Sequence, residues 1–211
     1  MLRIKICGIT QLEQGRSIAD YGATDLGFIC VATSPRYVSP ANLQTLVPEL
    51  QRQVNCIGVF ADEDLKTLVS ITKATGFGSI QLHGQESLEY CQELRQQLLD
   101  QEIIKAWRVR TTQDLETIQT YSQIADTLLL DAYHPQALGG TGHTLDWQSL
   151  LAFQPPIPWF LAGGLNPANI SIALSQLHPQ GIDLSSGVEV SPGIKNLNLV
   201  QDLFAEVRKK S

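Results

Sequence analysis

Eight short apolar runs recur along the chain, each followed by a stretch with helical spacing. This alternation restricts the fold more than any other feature. The runs cover residues 4–7, 26–30, 56–60, 79–82, 103–107, 127–130, 159–162 and 181–184. Most are nearly continuous in apolar residues rather than alternating, the pattern of parallel strands covered on both faces. Leu43, Leu46, Val47 and Leu50 fall at i, i+3, i+4 and i+7, as do Val200, Leu203, Phe204 and Val207. Helix starts are expected near Gln11, Pro40, Asp62, Gln85, Thr111 and Pro167, with a capping side chain or a first-turn proline at each. Residues 146–153 leave room only for a short helix before Pro155 and Pro156.

Eight βα units in 211 residues average about 26 residues each, near the minimum for a (β/α)8 TIM barrel. The fold class is therefore α/β, with residues 1–211 forming one barrel domain. A doubly wound open sheet is the structural alternative. It would require at least two of the eight strands to be absent, and 79–82 is the weakest of them. No Gly/Ser linker, low-complexity block or charge run marks a domain boundary.

The net charge of −6 and the pI of about 5.1 argue against nucleic acid or an anionic membrane as partner. No apolar run approaches the roughly 20 residues of a membrane span, and the amino terminus lacks a signal-peptide pattern. Cys7, Cys30, Cys56 and Cys91 are scattered, without a CxxC pair or a His cluster at ligand spacing. Neither disulfides nor a metal are expected, and a reducing, cytoplasmic setting fits best.

Chemistry-bearing residues gather after the strands, where barrels of this type bind ligands. Cys7 ends the first strand in Lys5-Ile6-Cys7-Gly8-Ile9-Thr10, with Gly8 freeing the backbone and Thr10 offering a capping hydroxyl. A lone cysteine is more often a small buried hydrophobe, and Cys30, Cys56 and Cys91 are read that way. The position of Cys7 at a strand end suits a base or a nucleophile, if dipoles or cations lower its thiol pKa. Asp131 closes the apolar run Leu128-Leu129-Leu130, either as a turn cap or as an acid enclosed by apolar strands. Arg36, in Ser34-Pro35-Arg36, carries a fork that matches a ligand carboxylate; a solvated surface arginine is the plainer alternative. His83, at the end of the fourth strand, is either a ligand contact or a structural histidine. Asp183, in the eighth, is placed to hydrogen-bond across the rim. Gly142 in the loop after strand six, Gly163-Gly164 after strand seven and Ser185-Ser186-Gly187 after strand eight converge on the sector where such barrels cradle phosphate with backbone amides.

With these residues collected, the chain resembles the phosphoribosylanthranilate isomerases of tryptophan biosynthesis. The match runs in order through Lys5–Thr10, Ser34-Pro35-Arg36-Tyr37-Val38, Gly58-Val59-Phe60, Gln81-Leu82-His83-Gly84 and Leu129-Leu130-Asp131. It continues through Gly139-Gly140-Thr141-Gly142, Asp146-Trp147, Leu161-Ala162-Gly163-Gly164-Leu165, 183–189 and Pro192-Gly193-Ile194-Lys195. The resemblance implies an Amadori rearrangement of N-(5-phosphoribosyl)anthranilate to 1-(2-carboxyphenylamino)-1-deoxyribulose 5-phosphate, without metal or organic cofactor. It implies Asp131 as the acid that opens the furanose ring and Cys7 as the base at ribose C2. Arg36 would take the anthranilate carboxylate, and the loops at Gly142, Gly164 and Ser186-Gly187 the phosphate. The partner is then a small phosphoribosyl substrate, and the barrel a monomer or a homodimer. The chain departs from the family at His143, where lysine is common, and at Ala61-Asp62. Other readings are a histidine-pathway aminoaldose isomerase, alone or bifunctional, and a phosphate-binding barrel without catalysis. An indole-glycerol-phosphate synthase would want a catalytic lysine at a strand end, and an epimerase would want metal ligands at several.

Overall fold

The computed structural model describes residues 1–132 and 147–209. Eight parallel strands close on themselves in sequential order: β1 (Arg3–Cys7), β2 (Asp25–Ile29), β3 (Asn55–Phe60), β4 (Ser79–Leu82), β5 (Glu102–Val109), β6 (Thr127–Ala132), β7 (Trp159–Ala162) and β8 (Gly181–Leu184). Closure between β1 and β8 sets Lys5 opposite Asp183, and the β1–β2 register sets Cys7 opposite Gly27. The open-sheet alternative is thereby excluded. Even the four-residue β4 pairs with both neighbours.

Helices α1 (Leu12–Tyr21), α2 (Pro40–Leu50), α3 (Leu65–Thr75), α4 (Leu88–Gln97), α5 (Thr112–Gln119), α6 (Ile170–Gln176) and α7 (Leu197–Arg208) follow their strands. Residues at the expected spacings turn inward: Leu43, Val47 and Leu50 of α2 and Val200, Leu203, Phe204 and Val207 of α7 are all buried. Three starts lie two or three residues later than the sequence implies, for α3 and α4 because the side chain that satisfies the free N–H groups is a later one. Asp64 caps α3, Ser87 caps α4, and α6 begins after Asn169. Thr10 does not cap α1; its hydroxyl instead donates to the Gly193 carbonyl at 2.6 Å. Trp147–Leu150 forms a single 3-10 turn, in keeping with the prolines that follow.

Side chains alternate between the barrel interior and the helix layer. Inside, Ile57, Ile104, Ala106, Leu129, Phe160 and Ala162 make a compact apolar plug. Beneath the plug a polar floor closes the N-terminal end. Arg3 pairs with Asp25 at 2.5 Å and with Glu102 at 2.6 Å, while Ser79 and Thr127 donate to Glu102 at 2.7 Å each. Above the plug the inward positions are mixed, with Cys7, Gln81, His83, Asp131 and Asp183 beside Ile29 and Val59, and they open at the C-terminal rim.

Candidate active site

The same two-residue alternation that buries Ile57 and Leu129 brings Cys7, Gln81, Asp131 and Asp183 to the top of the barrel interior. They line one cavity of about 260 Å³ together with Arg36, His83, Gly163, Gly164, Ser185, Ser186 and Gly187. Every proposed site residue except Gly142 therefore meets at one place. Gly142 and His143 lie outside the described residues.

Cys7 is 5% exposed. Burial pushes its thiol up, against the lowering expected from sequence, and the ammonium groups of Lys5 and Lys195 offset only part of that rise. The other thiols show what burial does without such company. Burial pushes Cys30 and Cys56 to about 12 and Cys91 to about 11, consistent with inert core residues.

Asp131, the penultimate residue of β6, lies on the far side of the mouth and is 20% exposed. It is not enclosed by apolar side chains as the sequence implied: His83 Nε2 lies 3.6 Å and Arg108 Nε 3.8 Å from its Oδ2. The register places Arg108 directly opposite Asp131 on the neighbouring strand. Gln81 Nε2 stands 2.9 Å from His83 Nδ1. With the amide donating there, the imidazole proton sits on Nε2 and faces the carboxylate.

Arg36 is fixed before any ligand arrives. Its Nε and Nη2 grip Glu189 at 2.9 and 2.6 Å, which leaves the Nη1 side of the guanidinium fork without a partner among the described residues. Glu189 belongs to a small antiparallel hairpin, β9 (Glu189–Ser191) and β10 (Ile194–Lys195), which sequence reading left as a rim loop. Lys195 on that hairpin is buried. Its Nζ donates to the Cys7 carbonyl at 2.5 Å and to Glu189 at 2.7 Å. Burial alone would raise the Glu189 carboxyl, but Arg36 and Lys195 outweigh it and hold the group below the ordinary range.

Two buried charged neighbours of Cys7 were missed in the sequence. Lys195 gave little warning, being a charged residue in a two-residue strand. Lys5 could have been found, since a residue two positions before Cys7 shares its face. Lys5 is completely buried and pairs with Asp183 at 3.0 Å. Burial alone would lower the Lys5 ammonium, but Asp183 and Cys7 more than offset this and hold it above the ordinary lysine value. The other strand lysine, Lys105, points outward to Glu86 at 2.7 Å and cannot serve the cavity.

The turns expected from sequence to hold phosphate are shaped by glycine. Gly163 and Gly164 have φ of 94° and 65°, the left-handed region that glycine enters without strain. Asn166 and Asn169 lock the following turn through Asn169 N–H to Asn166 Oδ1 and Asn166 N–H to Asn169 Oδ1. Among the described residues no cluster of His, Cys, Asp or Glu could hold a metal ion. Nor is any described helix long and apolar enough to cross a membrane.

A closed barrel whose mouth joins glycine-rich turns to ionisable groups on opposite strands has the form of the (β/α)8 enzymes, which work at the C-terminal rim. The family model for N-(5'-phosphoribosyl)anthranilate (PRA) isomerase matches residues 4–206, and the chain belongs to that family. It is 58% identical over 208 residues to N-(5'-phosphoribosyl)anthranilate isomerase of Microcystis aeruginosa, covering 99% of this chain and 98% of the relative. The crystal structure of phosphoribosyl anthranilate isomerase from Thermotoga maritima superposes with a TM-score of 0.88 at 33% identity, covering 99% and 100% of the two chains. A second structure, of such an isomerase in complex with reduced 1-(o-carboxyphenylamino)-1-deoxyribulose 5-phosphate, gives 0.87 at 31% identity, with 99% and 100% covered. The chain is an isomerase of tryptophan biosynthesis. It converts N-(5-phosphoribosyl)anthranilate to 1-(2-carboxyphenylamino)-1-deoxyribulose 5-phosphate.

Proposed function

We propose that this isomerisation is carried by Asp131 as general acid and Cys7 as general base, with Arg36 holding the anthranilate carboxylate. The observation that carries the reading is the placement of Cys7 and Asp131 on β1 and β6, facing each other across one cavity. Asp131 gives a proton to the ring oxygen, the C1–O bond breaks, and the anilino nitrogen's lone pair forms a protonated Schiff base. Cys7, as thiolate, then removes the proton from ribose C2. The C–H electrons become the C1=C2 bond, and the nitrogen recovers its lone pair. Protonation at C1 and loss of the hydroxyl proton at C2 give the ketone. An acid and a base in separate surroundings allow both transfers without either group neutralising the other.

The turns at Gly163-Gly164 and Ser185-Ser186-Gly187 take the 5-phosphate, with Gly142 assigned to the same cup. The unpartnered side of Arg36 takes the aromatic carboxylate. His83 keeps the Asp131 carboxyl turned toward the substrate. The phosphoribosyl substrate is the small-molecule partner.

The test follows the loss of anthranilate-type fluorescence on freshly generated substrate, with EDTA present. Cys7→Ser and Asp131→Asn should each lower kcat by about two orders of magnitude or more. Turnover like that of the wild type in either variant removes that residue from the mechanism.

A further inference from the structure

Directly below the Cys7 thiol lies a buried cation with no part in the scheme above. Lys5 enters the barrel interior two residues before Cys7, and strand register brings its ammonium to Asp183 at 3.0 Å. Its charge is also the largest electrostatic influence favouring the Cys7 thiolate. The two side chains meet because residue 27 has none. A Cβ there would lie 2.7 Å from Cys7 Sγ and 3.1 Å from Lys5 Cε.

We propose that Lys5 is the positioning residue that makes Cys7 a base, its ammonium stabilising the thiolate in the gap that Gly27 leaves. This rests on the reading of Cys7 as base. Lys195 is less suited to the task. Its Nζ is directed at oxygen atoms, with the Cys7 carbonyl and Glu189 closest, whereas Lys5 has one carboxylate partner and its Cε borders the same gap beside Gly27 as the sulfur.

The groups facing the thiol are Lys5 from β1, Asp183 from β8, Lys195 and Glu189 from the hairpin, Arg36 from the loop after β2, and neutral Cys30 at its end. Three cations thus stand against two carboxylates around Cys7, and that excess of positive charge favours the thiolate against the burial that favours the neutral thiol. Lys5 keeps its own proton throughout. Only the C2 proton moves, to sulfur.

The test compares wild type, Lys5→Gln, Asp183→Asn and Cys7→Ser. The rate of Cys7 alkylation by iodoacetamide is followed by peptide mass from about pH 6 to about pH 10, alongside the pH profile of kcat/KM. Lys5→Gln should move the alkylation midpoint and the acid limb of kcat/KM upward together by about one unit, a roughly tenfold loss at neutral pH that closes as pH rises. Asp183→Asn frees the Lys5 ammonium for sulfur and should move both downward, a reversal of sign that a merely structural role does not produce. Unchanged midpoints, or a uniform fall in rate with the same profile, overturn the inference while leaving Cys7 as base. If Lys5→Gln does not fold, an unchanged or upward midpoint in Asp183→Asn overturns it just as well. Wild-type turnover in Cys7→Ser instead removes the reading on which the inference rests.

Discussion

Arg36 shows how one side chain at the cavity is held in a fixed orientation. Glu189 occupies the Nε edge of its guanidinium, so the planar group cannot rotate and its remaining N–H donors point in a fixed direction. A carboxylate arriving there loses little conformational freedom in the complex. Arg36→Ala should therefore raise KM by about tenfold or more, the scale of a lost charge-assisted pair, with a smaller effect on kcat. Steady-state kinetics checks this, and an unchanged KM would make Arg36 a surface residue. The arginine itself was legible in the sequence from its place in a rim loop. Its partner was not, because Glu189 lies 153 positions away and only barrel closure brings the two together.

At the scale of elements, the hairpin of β9 and β10 is a brace joining the β2 loop, the β8 loop and β1. Thr10 bonds to the Gly193 carbonyl, Lys195 to the Cys7 carbonyl, and Arg36 to Glu189, all through residues 189–195. Glu189→Gln keeps the shape but weakens two ion pairs, and should raise KM several-fold while sparing kcat. A fall in kcat at constant KM would place the hairpin's influence on Cys7 rather than on Arg36. The strands of the barrel could be read to within a residue or two because burial on both faces leaves continuous apolar runs. The hairpin could not, since strands of three and two residues carry no detectable period. Thr10 misled for a related reason: a hydroxyl before a helix looks like a cap whether it bonds to its own helix or to a distant loop.

For the whole molecule, the polar floor matters as much as the mouth. Arg3, Asp25, Glu102, Asn55, Ser79 and Thr127 form one hydrogen-bonded layer drawn from six strands. Burial alone would raise the Glu102 carboxyl, but Arg3, Ser79 and Thr127 outweigh it and hold the group below the ordinary glutamate value. The sign follows from linkage. A carboxyl depressed in the folded state contributes its full stability above the unfolded value and loses it as pH falls through the folded one. Thermal melting should therefore fall between about pH 5 and about pH 3 in wild type. It should fall less steeply in Glu102→Gln, and equal slopes would take the floor out of the acid sensitivity. These six polar residues at the first inward position were not separable from ordinary strand starts in the sequence: Arg3, Asp25, Asn55 and Glu102 lie just outside the apolar runs, and Ser79 and Thr127 merely begin theirs.

The central claim assigns two steps to two residues, and substrate deuterated at ribose C2 separates them. In Cys7→Ser the C–H cleavage is the slowed step, so deuterium should depress kcat strongly. In Asp131→Asn ring opening is the slowed step, so the isotope effect should be near one. The reverse pattern, or no isotope effect in Cys7→Ser, would contradict Cys7 as the group that takes the C2 proton.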